Sequence, residues 1–331
     1  MYNKAMIEAK ECRAQGDWDS YVVSNNGHPL QLWGWGEVKA AHNWTVTRIV
    51  FYESNTAIGA AQILLRKLPW PLRAMAYVPR GPVVSPERRA DILKALQVYV
   101  KTQTEAVVVT IEPDWREDSS LTGWKKSSNT ILLSRTLMLD LRKSADDLLG
   151  VMAKKTRQYI KKSSKEVTDV RRVYDREAIE QCLKIYRETA RRAQFALHEE
   201  QYYYDIFDQL GGRSHIYIAY KDAEPIAFLW LVVSRQTAFE LYGGVTDEGQ
   251  RLRANYTLKW QAIQAIKEQE VVWYDLNGLL NDGVSTFKRG FSDQETHLVG
   301  TYDQPLSMLY SAWNRGLPFA KRIVQRIRSL R

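Results

Sequence analysis

The sequence predicts a mixed α/β (α+β) fold of two tandem domains, each a mainly antiparallel sheet flanked by helices. Two observations predict it. One order of three strands, a helix and a further strand occurs twice, about 165–170 residues apart, and no low-complexity linker separates the copies. In the first copy Val46–Glu53 reads as a strand, Ser54-Asn55-Thr56 as a tight turn, and Ala57–Arg66 and Ala74–Val84 as strands. Ser85 caps a helix with Pro86 at its first position that runs to about Thr102, and the apolar run Ala106–Ile111 closes the unit. In the second copy Ser214–Tyr220, Pro225–Val233 and Thr237–Val245 read as strands. Leu252–Glu268 follows with helical spacing of Leu258, Ala262 and Ile266, and Val271–Leu276 returns as a strand. The period is too long for a solenoid, so the pattern predicts a duplicated domain with a groove between the copies. The join is expected after residue 143, where Ser144 starts a helix with Asp147 in the capping-box position. Residues 1–143 with 305–331 then form the first domain, and 144–304 the second.

A chain of 331 residues has room for two cores, and 45% hydrophobic residues argue against disorder. Cys12 and Cys182 stand far apart and have no metal-ligand spacing, which fits a reduced, cytoplasmic protein. The first residues lack an apolar core of signal-peptide length, and no run approaches the ~18–20 apolar residues of a membrane span. Any membrane contact is therefore expected to be peripheral.

The formal net charge is +9, and the excess is clustered, which points to an anionic partner. Lys154, Lys155, Arg157, Lys161, Lys162 and Lys165 fall within twelve residues of one expected helix, suited to RNA or another polyanion, with a solvated face as the bland alternative. The tail 316–331 carries Lys321, Arg322, Arg326, Arg328 and Arg331 beside an apolar stripe of Phe319, Ile323, Ile327 and Leu330. That pattern suits a helix lying on an anionic membrane leaflet or on RNA, and equally one docked on its own domain. A nucleophile elbow, a zinc-protease helix, a P-loop and a dinucleotide glycine fingerprint are all missing from the sequence.

Several segments in order carry a resemblance: QLWGWGEVK (Gln31–Lys39), AAQILLRKLP (Ala60–Pro69), YVPRGPVV (Tyr77–Val84), KKTRQYIKKSSK (Lys154–Lys165), HEEQYYYDIF (His198–Phe207), YDLNG (Tyr274–Gly278) and FKRGF (Phe287–Phe291). Together they resemble the Fem (FemABX) peptidyltransferases along nearly the whole chain. The resemblance implies two GNAT-like domains and transfer of an amino acid from aminoacyl-tRNA to an amine of a peptidoglycan precursor, either lipid II or UDP-MurNAc-pentapeptide. It implies no cofactor, the aminoacyl-tRNA serving as co-substrate. No heptad segment of the length of a helical arm occurs, and only a short connection joins Asp205 to Ser214, so the chain resembles the armless subclass.

By resemblance Lys288 is the catalytic lysine, with Arg289 sharing its role or pairing with a carboxylate, Phe287 beside it, and Asp275 orienting the amine or capping its strand. Lys39 would meet a diphosphate after a Trp-Gly-Trp-Gly stretch, with Trp35 beside it and Trp33 read as core. Tyr77 and Arg80, before Gly81-Pro82, would point at the groove, as would Tyr242. His198 stands where the family often has arginine, ahead of Tyr202 and Tyr203. Acetyl-CoA-dependent relatives of the fold cradle pyrophosphate in a glycine-rich turn, whereas the corresponding Gly249–Asn255 lacks paired glycines. A CoA-type acyl donor remains the alternative, and a non-catalytic RNA- or membrane-binding role a third.

Overall fold

The computed structural model describes residues 6–116, 119–280, 283–292 and 294–316. The chain divides into unit 1, Met1–Ser134 with His297–Arg331, and unit 2, Arg135–Thr296. The join thus precedes the one expected after residue 143. The reason is pairing: Met138–Asp140 is a strand hydrogen-bonded to Trp273–Asp275 and belongs to the second sheet.

Unit 1 runs β1 (Ile7–Glu11), α1 (Gln15–Ser24), α2 (Trp33–Ala41), β2 (Thr45–Glu53), β3 (Thr56–Lys67), β4 (Ala74–Pro79), α3 (Arg89–Gln103), β5 (Ala106–Glu112) and β6 (Lys125–Lys126). Its sheet has the order β1-β2-β3-β4-β5, then the returning Tyr302–Pro305, then β6. Every pairing is antiparallel except β4 with β5, because α3 crosses between them. Ile92, Leu93, Leu96 and Val100 of α3 seal one sheet face over Ile49, Phe51, Ile63, Val78 and Ile111. On the other face Leu64, Met75 and Val108 pack with Tyr310 and Trp313. Strand β4 ends at Pro79 and does not continue to Val84 as expected. Arg80 takes φ +49°, which breaks the extended backbone.

Unit 2 runs β7 (Arg135–Thr136), β8 (Met138–Asp140), α4 (Ala145–Gly150), α5 (Lys154–Glu166), β9 (Asp169–Val173), α6 (Glu177–Ala193), α7 (Glu200–Leu210), β10 (Ser214–Lys221), β11 (Glu224–Val233), β12 (Thr237–Val245), α8 (Asp247–Leu252), α9 (Ala254–Lys267), β13 (Trp273–Asp275) and α10 (Gly283–Arg289). The sheet order is β8-β13-β12-β11-β10-β9, with β12 and β13 the parallel pair. Ser144 caps α4 as expected, accepting from the Asp147 amide at 3.1 Å. The single expected helix over 252–268 is instead α8 and α9, divided at Arg253, whose φ is +57°. Leu258, Ala262, Ile263 and Ile266 of α9 bury against Leu229, Leu231 and Val233 of β11. Two short pieces, β14 (Thr296–His297) and β15 (Tyr302–Pro305), complete the chain's strands among the described residues. No helix of the described residues is long and apolar enough to cross a membrane.

Candidate active site

Parallel strands β12 and β13 pair over only three positions, ending at Phe239 with Asp275. Beyond that register they part, and a turn fills the opening. Asn277 takes φ +59°, within reach of asparagine, and its Nδ2 donates to the Glu240 carbonyl at 2.9 Å. Asp275, 2% exposed, accepts from the Thr136 hydroxyl and from the Asn277 amide at 2.8 Å. The carboxylate therefore fixes the turn. The turn in turn presents the carbonyls of Asn277 and Gly278, each accepting from Lys288 Nζ at 3.1 Å. A half-buried ammonium is thus seated just past the C-terminal end of β13, where it parts from β12.

The Phe287–Phe291 segment is positioned by close packing. The Ala153 amide at the start of α5 donates to the Gly290 carbonyl at 3.0 Å, and a Cβ on Gly290 would lie 2.2 Å from Thr156 Oγ1. Only glycine permits that approach. Arg289 Nε donates to Glu295 at 2.7 Å, so its charge is taken up in an ion pair beside the site.

Beneath the turn lies a buried charge cluster that the sequence reading missed. Lys259 Nζ meets both oxygens of Glu240 at 2.6 and 2.7 Å, and the Tyr274 hydroxyl donates to Glu240 at 2.8 Å. Lys259 and Glu240 are 4% and 6% exposed. Burial and the adjacent carboxylate drive the Tyr274 phenol well above its ordinary pKa, so it remains a donor. A glutamate inside the apolar strand TAFELYGGV was the available signal. A β-bulge explains why it was hard to read: Trp230 pairs with Tyr242 but Leu231 with Glu240, so Leu241 is extra. Glu240 and Tyr242 consequently point to opposite faces.

Tyr242 joins an aromatic cluster with Tyr203 at 5.2 Å, Tyr186 at 5.6 Å and Trp230 at 6.1 Å. Tyr202 and Tyr203 of α7 are 5% and 2% exposed, and burial raises both phenol pKa values, that of Tyr202 to about 12. The exposed His198 ring stacks on Tyr202 at 4.3 Å, and its amide donates to the Tyr203 hydroxyl at 3.1 Å. These four residues come together, chiefly as packing that shapes the α7 end of the sheet.

All six basic residues of α5 are exposed, over a buried face of Thr156, Ile160 and Ser163. Arg157 departs from the expected anion role. Its Nη1 donates to the carbonyls of Leu149, Gly150 and Met152, closing the C-terminus of α4. Residues 317–331, which hold most of the basic tail, lie outside the described residues.

In unit 1 the Trp-Gly-Trp-Gly stretch packs closely on its own sheet at Gly36. A Cβ on Gly36 would lie 2.3 Å from Gln62 Oε1 and 2.4 Å from Arg48 Nη2. Buried Gln62 donates to the carbonyls of Leu30 and Leu32 and accepts from Arg48 Nε at 2.9 Å, while Arg48 stacks 3.5 Å over Trp33. This network pins α2 and thereby holds Lys39 over the Trp35 ring at 4.4 Å. Burial, helped by Arg66, lowers the Lys39 pKa to about 8. Tyr77 and Arg80, expected to point at the groove, are 5% and 1% exposed. The Tyr77 hydroxyl is drawn to Glu112 at 2.5 Å, and Arg80 Nη2 donates to the Leu133 carbonyl at 2.9 Å.

Residues 14–131 match the model of the FemAB family, and residues 153–289 that of the acetyltransferase (GNAT) domain. The chain thus carries a FemAB-family match over its first part and a GNAT-domain match over its second. Similar proteins include the lipid II:glycine glycyltransferase of Staphylococcus aureus (strain USA300), 25% identical over 283 residues that make up 80% of this chain and 63% of the relative. Another is the enzyme of the same name from Staphylococcus epidermidis, 24% identical over 229 residues, 63% of this chain and 55% of the relative. The chain therefore spans between about half and under two thirds of the curated relatives it matches. Among solved structures, that of FemX superposes with a TM-score of 0.84 at 21% identity, covering 93% of this chain and 100% of FemX. That of L-PGS from Bacillus licheniformis gives 0.59 at 15% identity, covering 96% and 97%. These structures, with the GNAT-domain match, establish the tandem GNAT-type fold. One detail separates it from a CoA-cradling turn: Gly249 of α8 lies against β11, where a Cβ would be 2.2 Å from the Ile226 carbonyl oxygen.

Proposed function

We propose that this chain is an aminoacyltransferase that moves an amino acid from aminoacyl-tRNA to an amine on the stem or bridge peptide of a peptidoglycan precursor. Unit 2 is the catalytic, donor-side unit and unit 1 the precursor-binding unit. The observation that carries the reading is the Lys288 ammonium held by two backbone carbonyls where β12 and β13 part.

The donor is an ester, already activated. The acceptor amine attacks its carbonyl carbon, a tetrahedral oxyanion forms, the carbon–oxygen bond to the ribose breaks, and the proton lost by the amine ends on the ribose oxygen. Lys288 supplies a preorganised positive charge for the developing oxyanion. Asp275 acts through the turn as a positioning residue, and Arg289 with Glu295 braces the segment. In unit 1, Lys39 over Trp35 suits an anionic group such as the precursor's diphosphate. The names of the relatives favour lipid II as acceptor over the nucleotide-linked pentapeptide. The basic, apolar-striped sequence 316–331 supports peripheral contact with an anionic leaflet at the cytoplasmic face.

The test is a reconstituted transfer with total charged tRNA and either lipid II or UDP-MurNAc-pentapeptide, read by mass spectrometry. A gain of one amino-acid residue that disappears with RNase and in Lys288→Ala supports the proposal. A gain that survives RNase and requires CoA overturns the donor, and no gain on either acceptor overturns the reaction.

A further inference from the structure

The corner of unit 2 that holds Lys288 also carries an aromatic ladder that amide formation leaves unused. Tyr159 meets Tyr256 edge to face at 5.0 Å, Tyr256 meets Phe287 at 4.8 Å, and Phe287 meets buried Phe291 at 5.2 Å. The first three rings are only partly buried. At the outer end the Arg253 guanidinium lies 3.8 Å from the Tyr159 ring centre, and Lys155 Nζ 5.7 Å. Neither cation has a carboxylate within ion-pair distance among the described residues, and the same holds for Lys154, Lys161, Lys162 and Lys165 of α5.

Arg253 is conspicuous on backbone grounds. Its φ of +57° is a conformation in which glycine is the unstrained residue, yet a long cation is kept there and laid across a tyrosine. Partly exposed aromatic rings in series, bordered by cations without a carboxylate partner, form the kind of surface that single-stranded nucleic acid recognises, since every base has a π-face and every phosphate a charge. We propose that Tyr159, Tyr256 and Arg253 form a stacking platform for the unpaired 3′ nucleotides of the RNA donor, with the α5 lysines neutralising its backbone. The ladder then leads the terminal ester towards Phe287 and Lys288. This rests on the reading of the donor as an aminoacyl-tRNA.

The test uses the full chain and two labelled RNA hairpins with one stem, one blunt and one ending in an unpaired 3′ extension, followed by fluorescence anisotropy. The extended hairpin is expected to bind roughly tenfold tighter. Tyr159→Leu should remove that preference and Tyr159→Phe keep it. Arg253→Gly should weaken binding of the extended hairpin several-fold, by about threefold or more, while holding or raising the thermal midpoint, because glycine relieves the backbone. A wild-type chain that binds both hairpins equally overturns the platform, as does a preference unchanged in Tyr159→Leu and Arg253→Gly. Loss of the donor reading itself is seen separately, as transfer that survives RNase.

Discussion

The strand after the long helix ends on a buried carboxylate in both units, Glu112 on β5 and Asp275 on β13, and the two carboxylates hold different things. Glu112 gathers four donors: the Tyr77 hydroxyl at 2.5 Å, the Thr301 hydroxyl at 2.6 Å, and the amides of Ile131 and Leu132 at 2.7 and 2.9 Å. It ties together segments distant in sequence and leaves no reactive group at the strand end. Asp275 takes the Thr136 hydroxyl and the amide of a tight turn whose carbonyls seat a lysine. Both units place a carboxylate at this strand end. What differs is whether the loop beyond it is closed by side chains or opened onto an ammonium.

The sharpest way to break this contrast is beneath the unit 2 strand end. Lys259→Met leaves Glu240 buried without its cation and should cost about 3–5 kcal/mol in denaturant melts, with Glu240→Leu in the same chain recovering most of it. A small loss in the single variant would show that the pair is solvated and does not support the turn. Next is Lys288→Ala, expected to lower transfer by about 10²–10³-fold while barely moving the thermal midpoint. If melting falls and activity per folded molecule does not, Lys288 is a structural clamp.

The two carboxylates can be set against each other directly. Glu112→Gln mismatches donors and should cost about 1–3 kcal/mol of stability, with transfer per folded molecule retained. Asp275→Asn should cost less stability and more transfer, because the Lys288 turn loosens. Equal behaviour of the two variants would erase the distinction drawn between them.

The smallest effect concerns Lys39. Its pKa is lowered from 10.5 to about 8, so between those values the unfolded chain binds more protons than the folded one. The cost of burying its charge is present in full below about pH 8, and stability contributed at this site rises as pH climbs from about 8 to 10.5. Lys39→Met should flatten that rise in pH-dependent melts. An unchanged slope would show that Lys39 titrates normally.

Much of this was legible in the sequence, because strand runs and helical spacing report burial directly. The order of strands and the long helix in each copy, the Ser144 cap and the short Asp205–Ser214 connection all follow from local pattern. Lys288 itself was reached by resemblance, and its setting was not. Residue spacing carries no record of which distant carbonyl or carboxylate a side chain will meet. Tyr77 and Arg80 read as groove-facing because a Gly-Pro turn follows them, and that turn gives no sign that the Tyr77 hydroxyl meets Glu112, 35 residues on. Gly36 lies in the stretch leading to Lys39, and only the fold shows that a Cβ there would meet Gln62 Oε1 at 2.3 Å. Strand alternation would place Glu240 and Tyr242 on one face, and the bulge at Leu241 sends them to opposite ones.

The sequence by itself determined the duplicated α/β pattern and the clustered positive charge, since these depend on residue type at short spacing. The tertiary structure alone decided that Asp275 holds a turn and Glu112 a knot of loops, that Lys259 neutralises Glu240, and that Arg253 lies on Tyr159. Those pairings join residues brought together only by the folding of each sheet around its helices, and no local period encodes them.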